Sequence, residues 1–251
     1  VPGNNTISGE YSTTSPNTSA VSASGSDVIV TDNGALTIST TGDAGMGLSV
    51  SNGAKITLDD SGSTIRTSGE GSHAITIVGD NSEAMLNNLT VSTEGEIASA
   101  VLFSSNAKGT IDGGSYTATG EGSYGVEILN GADLTIKNAT ITTSGYGMAR
   151  AIVNRYATLS LDNVNINTTG DFGNAGIYND GELTGSNVTI TTTGSQSFGI
   201  QNYTNTFNLA ASHVETYGEQ SVGIMNTGRA DLTDSQIVTP GKNADAVCSD
   251  G

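Results

Sequence analysis

Hydrophobic and polar residues alternate along this chain in many short segments, which are separated by Gly, Asp, Asn and Ser. Residues 175–197, for example, contain the segments GIYN, ELTG and NVTITTT. A period of two places successive side chains on opposite faces and is typical of a β-strand with one buried face. Because no segment keeps a helical period over ten residues, the pattern predicts an all-β chain.

The alternating segments belong to a repeat that ends in a glycine. Its nine glycines lie 23 to 27 residues apart: Gly42, Gly69, Gly95, Gly120, Gly145, Gly170, Gly194, Gly218 and Gly241. A Thr stands two residues before eight of the nine, and an apolar residue stands four before each. A repeat of this length indicates one supersecondary unit stacked many times.

Each repeat contains three short predicted strands, which favours a parallel β-helix. A four-stranded propeller blade needs about 40 residues, more than one repeat offers. In a β-helix each strand pairs with its counterpart one coil further on, about 4.8 Å away. We therefore predict one domain over residues 1–251, a single-stranded parallel β-helix of about nine to ten coils and roughly 45 Å in length.

The alternation also predicts which side chains face the interior. Leu48, Ile75, Val101 and their counterparts would form an apolar column, whose burial is worth about 25 cal/mol per Å². An inward asparagine recurs in four successive coils, at Asn154, Asn179, Asn202 and Asn226. We expect their amides to form a hydrogen-bonded ladder; ligand binding by these amides is the alternative interpretation.

The corner residues carry two further expectations. The Thr that precedes each repeat glycine faces inward, so we expect the threonines to form a hydroxyl ladder that closes the corner. The glycines are expected to supply a turn geometry that a Cβ would resist.

Charge narrows the range of partners. The net charge is −17, with only 8 Lys and Arg residues, and these are scattered along the chain. Capture of nucleic acid or of an anionic membrane needs clustered basic residues, so both partners are excluded. The chain has one cysteine, Cys248, which has no partner for an internal disulfide.

The chain ends within a repeat. Residues 245–251 align with residues 222–228 in a first strand, and no capping element follows. Since solenoids need caps to protect their open edges, we expect this chain to be the N-terminal part of a longer rod.

The repeat resembles the passenger domains of Gram-negative autotransporters, with pertactin and the self-associating adhesins as the nearest types. The resemblance rests on the first-strand pattern x-G-[IV]-x-N, the middle pattern L-T-[IG]-x-N-[VA]-x-I and the T-x-G corner, from about Tyr11 to Gly251. It implies a right-handed coil and a rod exported across the outer membrane to the cell surface. The G-D-S-G motif of the serine-protease autotransporters is absent from this sequence.

Two outward surfaces are candidates for binding. One is an aromatic and basic patch in adjacent coils, which we expect to bind a host glycan or matrix protein because Tyr and Arg are favoured in recognition sites. Its residues are Tyr146, Arg150, Arg155, Tyr156, Phe172, Tyr178 and Tyr203. The other is a flat polar face on the third strands, suited to self-association in bacterial aggregation and biofilm. Its residues are Thr117, Thr119, Thr140, Thr142, Asn165, Asn167, Thr189 and Thr191.

Catalysis is the competing hypothesis, because parallel β-helices also carry polysaccharide lyases, glycosidases and phage spikes. Paired glycosidase carboxylates would lie about 5–9 Å apart, and Glu94 with Glu121 or Asp112 with Asp133 are the candidate pairs. His73 and His213 fall in different coils and different strands. We expect a non-catalytic adhesin segment without a metal or cofactor.

Overall fold

The computed structural model describes residues 1–203 and 205–249, and in this part of the chain every paired strand is parallel to its neighbours. The strands form three sheets, each of which receives one strand from every coil. The first sheet contains β2 (Val21–Ser24), β4 (Leu48–Ser51), β7 (Ile75–Val78), β10 (Ser99–Ser104), β13 (Tyr124–Leu129), the first parts of β16 (Arg150–Asp162) and β18 (Ala175–Ser186), β20 (Phe198–Asn202), β23 (Val222–Asn226) and β26 (Asp245–Ser249).

The second and third sheets are built in the same way. The second contains the first parts of β1 (Gly3–Thr13) and β3 (Val28–Thr40), then β5 (Lys55–Leu58), β8 (Glu83–Asn87), β11 (Lys108–Asp112), β14 (Asp133–Lys137), the second parts of β16 and β18, β21 (Thr206–Ala210) and β24 (Arg229–Thr233). The third contains the second parts of β1 and β3, then β6 (Thr64–Thr67), β9 (Thr90–Thr93), β12 (Ser115–Ala118), β15 (Thr140–Thr143), β17 (Asn165–Thr168), β19 (Thr189–Thr192), β22 (His213–Thr216) and β25 (Gln236–Val238).

The prediction of an all-β parallel β-helix is confirmed. The described residues form a β-solenoid of about 10 turns and contain no helix. Most coils have three separate strands, whereas β1, β3, β16 and β18 each run through a corner. The first-strand assignment for the last coil holds over β26, and residues 250 and 251 lie outside the described residues.

Like residues stack on like residues inside the coil. Ile141, Ile166 and Ile190 are aligned in successive coils of the third sheet, and all three are fully buried. The predicted inward column of the first sheet is buried in the same way from Leu48 to Ile224. Burial of this continuous apolar column is the main favourable contribution to folding.

The predicted asparagine ladder is confirmed. The side-chain amide of Asn154 donates to the Oδ1 atom of Asn179 at 2.8 Å, Asn179 donates to Asn202 at 2.7 Å, and Asn202 donates to Asn226 at 2.7 Å. Each amide gives its second proton to a backbone carbonyl at the following corner, at 2.8 to 3.0 Å. Buried amides are thus paired on almost every atom, as a low-dielectric interior requires.

The predicted threonine hydroxyl ladder does not run through the coil, although its first threonines do bond the corner backbone. Thr40 Oγ1 donates to the carbonyl of Gly45 at 3.1 Å, and the hydroxyls of Thr67 and Thr93 donate to the carbonyl of Ser72 at 2.6 and 3.2 Å. The threonines do face inward, but the hydroxyls of Thr143, Thr168, Thr192 and Thr216 are buried without a hydrogen-bond partner among the described residues. The bond between coils is made instead by the residue that ends the corner. Ser123 Oγ donates to the carbonyl of Gly95 at 2.7 Å and accepts from the N–H of Ala98 at 3.3 Å. This arrangement satisfies the corner backbone in the later coils, where the threonine hydroxyls have no hydrogen-bond partner among the described residues.

The repeat glycines are required for a different reason from the expected one. Gly95 and Gly120 do not have a positive φ, so turn geometry does not demand glycine. A Cβ built on Gly120 would overlap the carbonyl oxygen of Gly95 in the preceding coil. The corners therefore stack too closely for a side chain, and close backbone approach is what selects glycine.

Candidate binding face of the first sheet

One row of side chains on the first sheet points away from the interior of the coil. Strand register aligns them in successive coils: Ser49, Thr76, Leu102, Glu127, Val153, Tyr178, Gln201 and Met225. In the x-G-[IV]-x-N pattern they occupy the second x, between the aliphatic residue and the asparagine, and coils without the full pattern carry them at the aligned position. We call the outward surface of this sheet the first-sheet face.

Tyr178 is the centre of a cluster on this face. The guanidinium carbon of Arg150 lies 4.4 Å from the centroid of its ring, and that of Arg155 lies 4.9 Å from it. The ring of Tyr203, one coil further on, lies 5.2 Å away at an interplanar angle of 40°. Both arginines are within the range of a cation–π interaction. Arg150, Arg155, Tyr178 and Tyr203 are hereafter the Tyr178 cluster.

The two arginines of the cluster lack carboxylate partners. Lys55, Arg66, Arg229 and Lys242 each lie within 4.0 Å of an Asp or Glu carboxylate. Among the described residues, no carboxylate lies that close to Arg150 or Arg155.

Arg150 is only 7% exposed, and its Nε atom is buried without a hydrogen-bond partner in the described part of the chain. Burial lowers the pKa of its guanidinium because desolvation disfavours the charged form.

A carboxyl group on the same face is held by a serine. Ser99 Oγ donates to Glu127 Oε2 at 2.7 Å. Burial raises the pKa of Glu127, while the hydrogen bond from Ser99 and the charge of Arg155 act in the opposite direction.

Sequence reasoning did not find Gln201, which is aligned with Tyr178 in the next coil. Its side chain is buried and its Oε1 atom has no hydrogen-bond partner among the described residues. The signal that could have identified it is its place in the same outward row as Tyr178.

The structure divides the aromatic and basic patch into three groups. Tyr146 and Phe172 contact each other, with ring centroids 5.4 Å apart, on the corner between the third and first sheets. Tyr156 is exposed on the corner within β16, between the first and second sheets, and lines a shallow depression with Gly181 and Glu182. Of the patch residues, Arg150, Arg155 and Tyr178 lie on strands that enter the first sheet, and Tyr203 directly follows β20.

The polar residues of the third sheet lie in two aligned rows. Thr117, Thr142, Asn167 and Thr191 form one row across four coils. Thr140, Asn165 and Thr189 form the second row, in which Ser115 is the aligned residue of the preceding coil. Thr119 lies just beyond β12, at the corner, and is exposed. We call these two rows the third-sheet face.

The carboxylates considered for catalysis are not brought together as expected. Asp112 is aligned with Lys137 in the next coil, and Asp133 is aligned with Lys108 in the preceding one. Glu94 forms an ion pair with Arg66 on the third sheet, whereas Glu121 lies on the following corner. Register thus places each of these acids beside a cation or on a different part of the coil.

The described residues offer neither a metal-binding cluster nor a membrane-spanning helix. No group of three or more His, Cys, Asp or Glu residues among them is placed to hold a metal ion. No helix in residues 1–203 and 205–249 is long and apolar enough to cross a membrane.

The chain resembles a solved structure at the level of fold. The match is to the cryo-EM structure of the Vag8–C1 inhibitor complex, with a TM-score of 0.63 and 16% identity, covering 96% of this chain and 71% of that one. Vag8 is an autotransporter passenger domain with a β-solenoid fold. The expected resemblance to autotransporter passengers is thus confirmed for the fold.

A second match is to PfbA, a surface adhesin of Streptococcus pneumoniae, with a TM-score of 0.34 and 9% identity, covering 98% of this chain and 85% of that one. A TM-score this low supports no conclusion about the present chain. No family model and no curated protein matches the sequence.

Proposed function

We propose that this chain is a non-catalytic binding rod of an autotransporter-type adhesin at the cell surface, and that its first-sheet face binds an acidic host glycan. The observation that carries the proposal is the Tyr178 cluster, in which Arg150 and Arg155 stack on one ring with no carboxylate of residues 1–203 and 205–249 within 4.0 Å. The surface role is supported by the shared fold with Vag8, whose structure was solved in complex with C1 inhibitor.

The cluster is not needed to form the coil. Packing is provided by the inward residues, such as Ile152 and Ile177, which are fully buried. Outward arginines that merely solubilised the rod would extend into water or pair with the abundant acids of this chain. Instead, Arg150 and Arg155 are held over Tyr178 at 4.4 and 4.9 Å, an arrangement that reduces the entropy lost on binding.

The chemistry of the cluster favours an anionic ligand. The half-buried guanidinium of Arg155, stacked on the ring, keeps its N–H edge available for two parallel hydrogen bonds to a carboxylate or a sulfate, whereas Arg150 is largely buried beside it. Tyr203 continues the surface in the next coil, about 4.8 Å further along the rod. A linear polysaccharide lying along the rod would contact several of these groups at once. The net charge of −17 opposes such a ligand, so we expect modest, short-range binding.

A glycan array that includes sulfated, uronate-containing and neutral polysaccharides tests this function. We expect the wild-type chain to bind acidic members of the array and the double variant Tyr178→Ala, Tyr203→Ala to lose most of that signal. Tyr156→Ala is the matched control, because Tyr156 is exposed but lies on a corner outside the cluster. Equal binding by the double variant and the wild type would contradict the proposal.

Self-association is a second candidate function, favoured by the register of the third-sheet face. Thr117, Thr142, Asn167 and Thr191 present hydroxyl and amide groups at one strand position in four consecutive coils. Repetition along the rod would let many weak hydrogen bonds between two copies add up.

Lysine substitution of Thr140, Thr142, Thr189 and Thr191 tests self-association. The variant should abolish aggregation of cells that display the chain, without unfolding it. The control places four lysines on the outward row of the second sheet, at Thr57, Thr110, Thr135 and Thr184. Unchanged aggregation in the first variant would exclude this face, and equal loss in both would indicate a general effect of charge.

A further inference from the structure

Four large apolar side chains are exposed together on the corner between the third and first sheets. Ile97 is 65% exposed, Met148 60%, Tyr146 56% and Phe172 49%. We call these four residues the corner ridge. Single exposed apolar residues are common on protein surfaces, whereas a contiguous group marks an interaction site.

Backbone hydrogen bonds show that the ridge runs along the rod from coil to coil. The N–H of Ile97 donates to the carbonyl of Glu121 at 3.0 Å. In the next coil, the N–H of Gly122 donates to the carbonyl of Tyr146 at 3.2 Å. The N–H of Met148 then donates to the carbonyl of Phe172 at 3.1 Å. Four consecutive coils thus place the ridge over roughly 15 Å.

The apolar surface is continuous because glycines lie between the large residues. A Cβ built on Gly122 would lie 3.9 Å from Cγ1 of Ile97, and one built on Gly173 would lie 3.5 Å from Cγ of Met148. Ile97 and Met148 therefore lean over the glycine of the next coil. The rings of Tyr146 and Phe172 close the remaining gap, with centroids 5.4 Å apart.

The fold does not explain large side chains at these positions. Ile97, Met148 and Phe172 all have left-handed backbone conformations, with φ of 52°, 56° and 65°. This conformation favours glycine and is rare for a β-branched residue. Gly71 and Gly122 occupy the place of Ile97 in the coils on either side. Glycine is thus accepted at this corner position, and Ile97 contributes an exposed side chain rather than core packing.

The charge around the ridge is negative. Glu96, Glu121 and Asp171 directly precede Ile97, Gly122 and Phe172 at the corner. A Cβ built on Gly147 would lie 3.8 Å from Oε1 of Glu121, so this carboxylate reaches the coil that carries Tyr146 and Met148. Among the described residues, none of these three carboxylates forms an ion pair.

We propose that the corner ridge is a docking surface for a cationic, amphipathic segment of a partner protein, in which apolar residues alternate with Lys or Arg. Its apolar residues would cover Ile97, Met148 and Phe172, and its cations would approach Glu96 and Glu121. A second copy of this chain, with its net charge of −17, and an anionic lipid surface both have the wrong charge. This site goes beyond the proposed glycan site, since it uses other residues and the opposite ligand charge.

The proposal is tested with a synthetic peptide of about ten residues that alternates Lys and Leu, a length that spans the ridge in extended form. We expect the triple variant Ile97→Gly, Met148→Gly, Phe172→Gly to bind it about tenfold more weakly than the wild type, as for loss of a central apolar anchor. The pair Glu96→Gln, Glu121→Gln should also weaken binding. Ile29→Ala, Met85→Ala, Leu232→Ala is the matched control, because these apolar residues are exposed outside the ridge.

Two peptides of equal length separate the contributions of charge and apolar contact. A Glu–Leu peptide should not bind, and a Lys–Ser peptide should bind more weakly than the Lys–Leu peptide. Equal binding of the Lys–Ser and Lys–Leu peptides, or equal affinity of the triple variant and the wild type, would overturn the proposal. If the triple variant melts at a lower temperature, Ile97→Gly alone is compared; a loss of stability there would assign Ile97 to the fold and reject the docking role.

Discussion

The side-chain amide of Asn179 donates to the amide oxygen of Asn202 at 2.7 Å, and both side chains are fully buried in successive coils. Apolar contacts alone would tolerate small shifts of one coil relative to the next. A directional hydrogen bond between buried amides does not tolerate such shifts, because a shift leaves a polar atom unpaired in the interior. The asparagine ladder therefore fixes the register of the coils that carry the Tyr178 cluster.

Replacing Asn202 by leucine should lower the free energy of unfolding by about 1–3 kcal/mol, since it leaves the buried amide of Asn179 and the half-buried amide of Asn226 without their partner. Asn154→Leu should cost less, because Asn154 ends the ladder and its Oδ1 atom is already unpartnered. Urea unfolding of both variants measures the difference. Equal losses at the two positions would show that the ladder does not act as a connected unit.

Gly120→Ala should destabilise the rod by about 1–3 kcal/mol or more, because the new Cβ overlaps the carbonyl oxygen of Gly95 and the coils must separate to accept it. Gly34→Ala is the control, since its Cβ would lie 3.7 Å from the nearest atom and its φ is not in the left-handed range. Thermal unfolding should show a large loss for the first variant and little change for the second. Comparable melting temperatures for both would refute tight corner stacking.

Tyr116→Phe should leave stability unchanged or raise it by about 1 kcal/mol. Tyr116 occupies the inward position of the third sheet where other coils carry Ile or Val, and its hydroxyl is buried without a partner among the described residues. Removing the oxygen relieves a desolvation cost and creates little empty space. A marked loss of stability, measured by chemical denaturation, would reveal an unseen partner for the hydroxyl.

Glu127→Gln should stabilise the protein at neutral pH and have little effect in acid. Burial raises the pKa of Glu127 above its ordinary value of 4.5. The contribution of Glu127 to stability is therefore complete below pH 4.5, where the carboxyl is neutral, and it is lost as the pH rises through the raised pKa of the folded state, where a buried charge forms. Glutamine keeps an oxygen that can accept from Ser99 without the charge.

The difference in melting temperature between Glu127→Gln and the wild type, taken at pH 4 and pH 7, checks this expectation. Glu10→Gln is the control on an exposed strand residue. A variant less stable than the wild type at pH 7 would show that attraction between Glu127 and Arg155 outweighs the cost of burial.

The sequence predicted the coil, its inward residues and the asparagine ladder because identical chemistry recurs at a fixed spacing, and stacking puts like residues together. It could not predict that Ser123 joins successive corners while the hydroxyls from Thr143 onward have no partner among the described residues, since both kinds of hydroxyl lie close to the turn and only their geometry distinguishes them. It also grouped Tyr146 with Tyr178. The position of a residue along the chain shows which coil it belongs to, but the face on which it lies depends on the length of the corner. That length varies: the corner from Gly145 to Ala149 has one residue more than the corner from Gly120 to Ser123.

The most direct test of a functional first-sheet face is calorimetric titration with a sulfated polysaccharide and with its desulfated form. Arg155→Gln should bind the sulfated polymer about tenfold more weakly than the wild type. Arg229→Gln, which removes an exposed arginine paired with Asp231, should bind as the wild type does. The desulfated polymer should bind weakly to all three proteins. Equal affinity of Arg155→Gln and the wild type, or no preference for the sulfated polymer, would contradict recognition of an acidic glycan by the Tyr178 cluster.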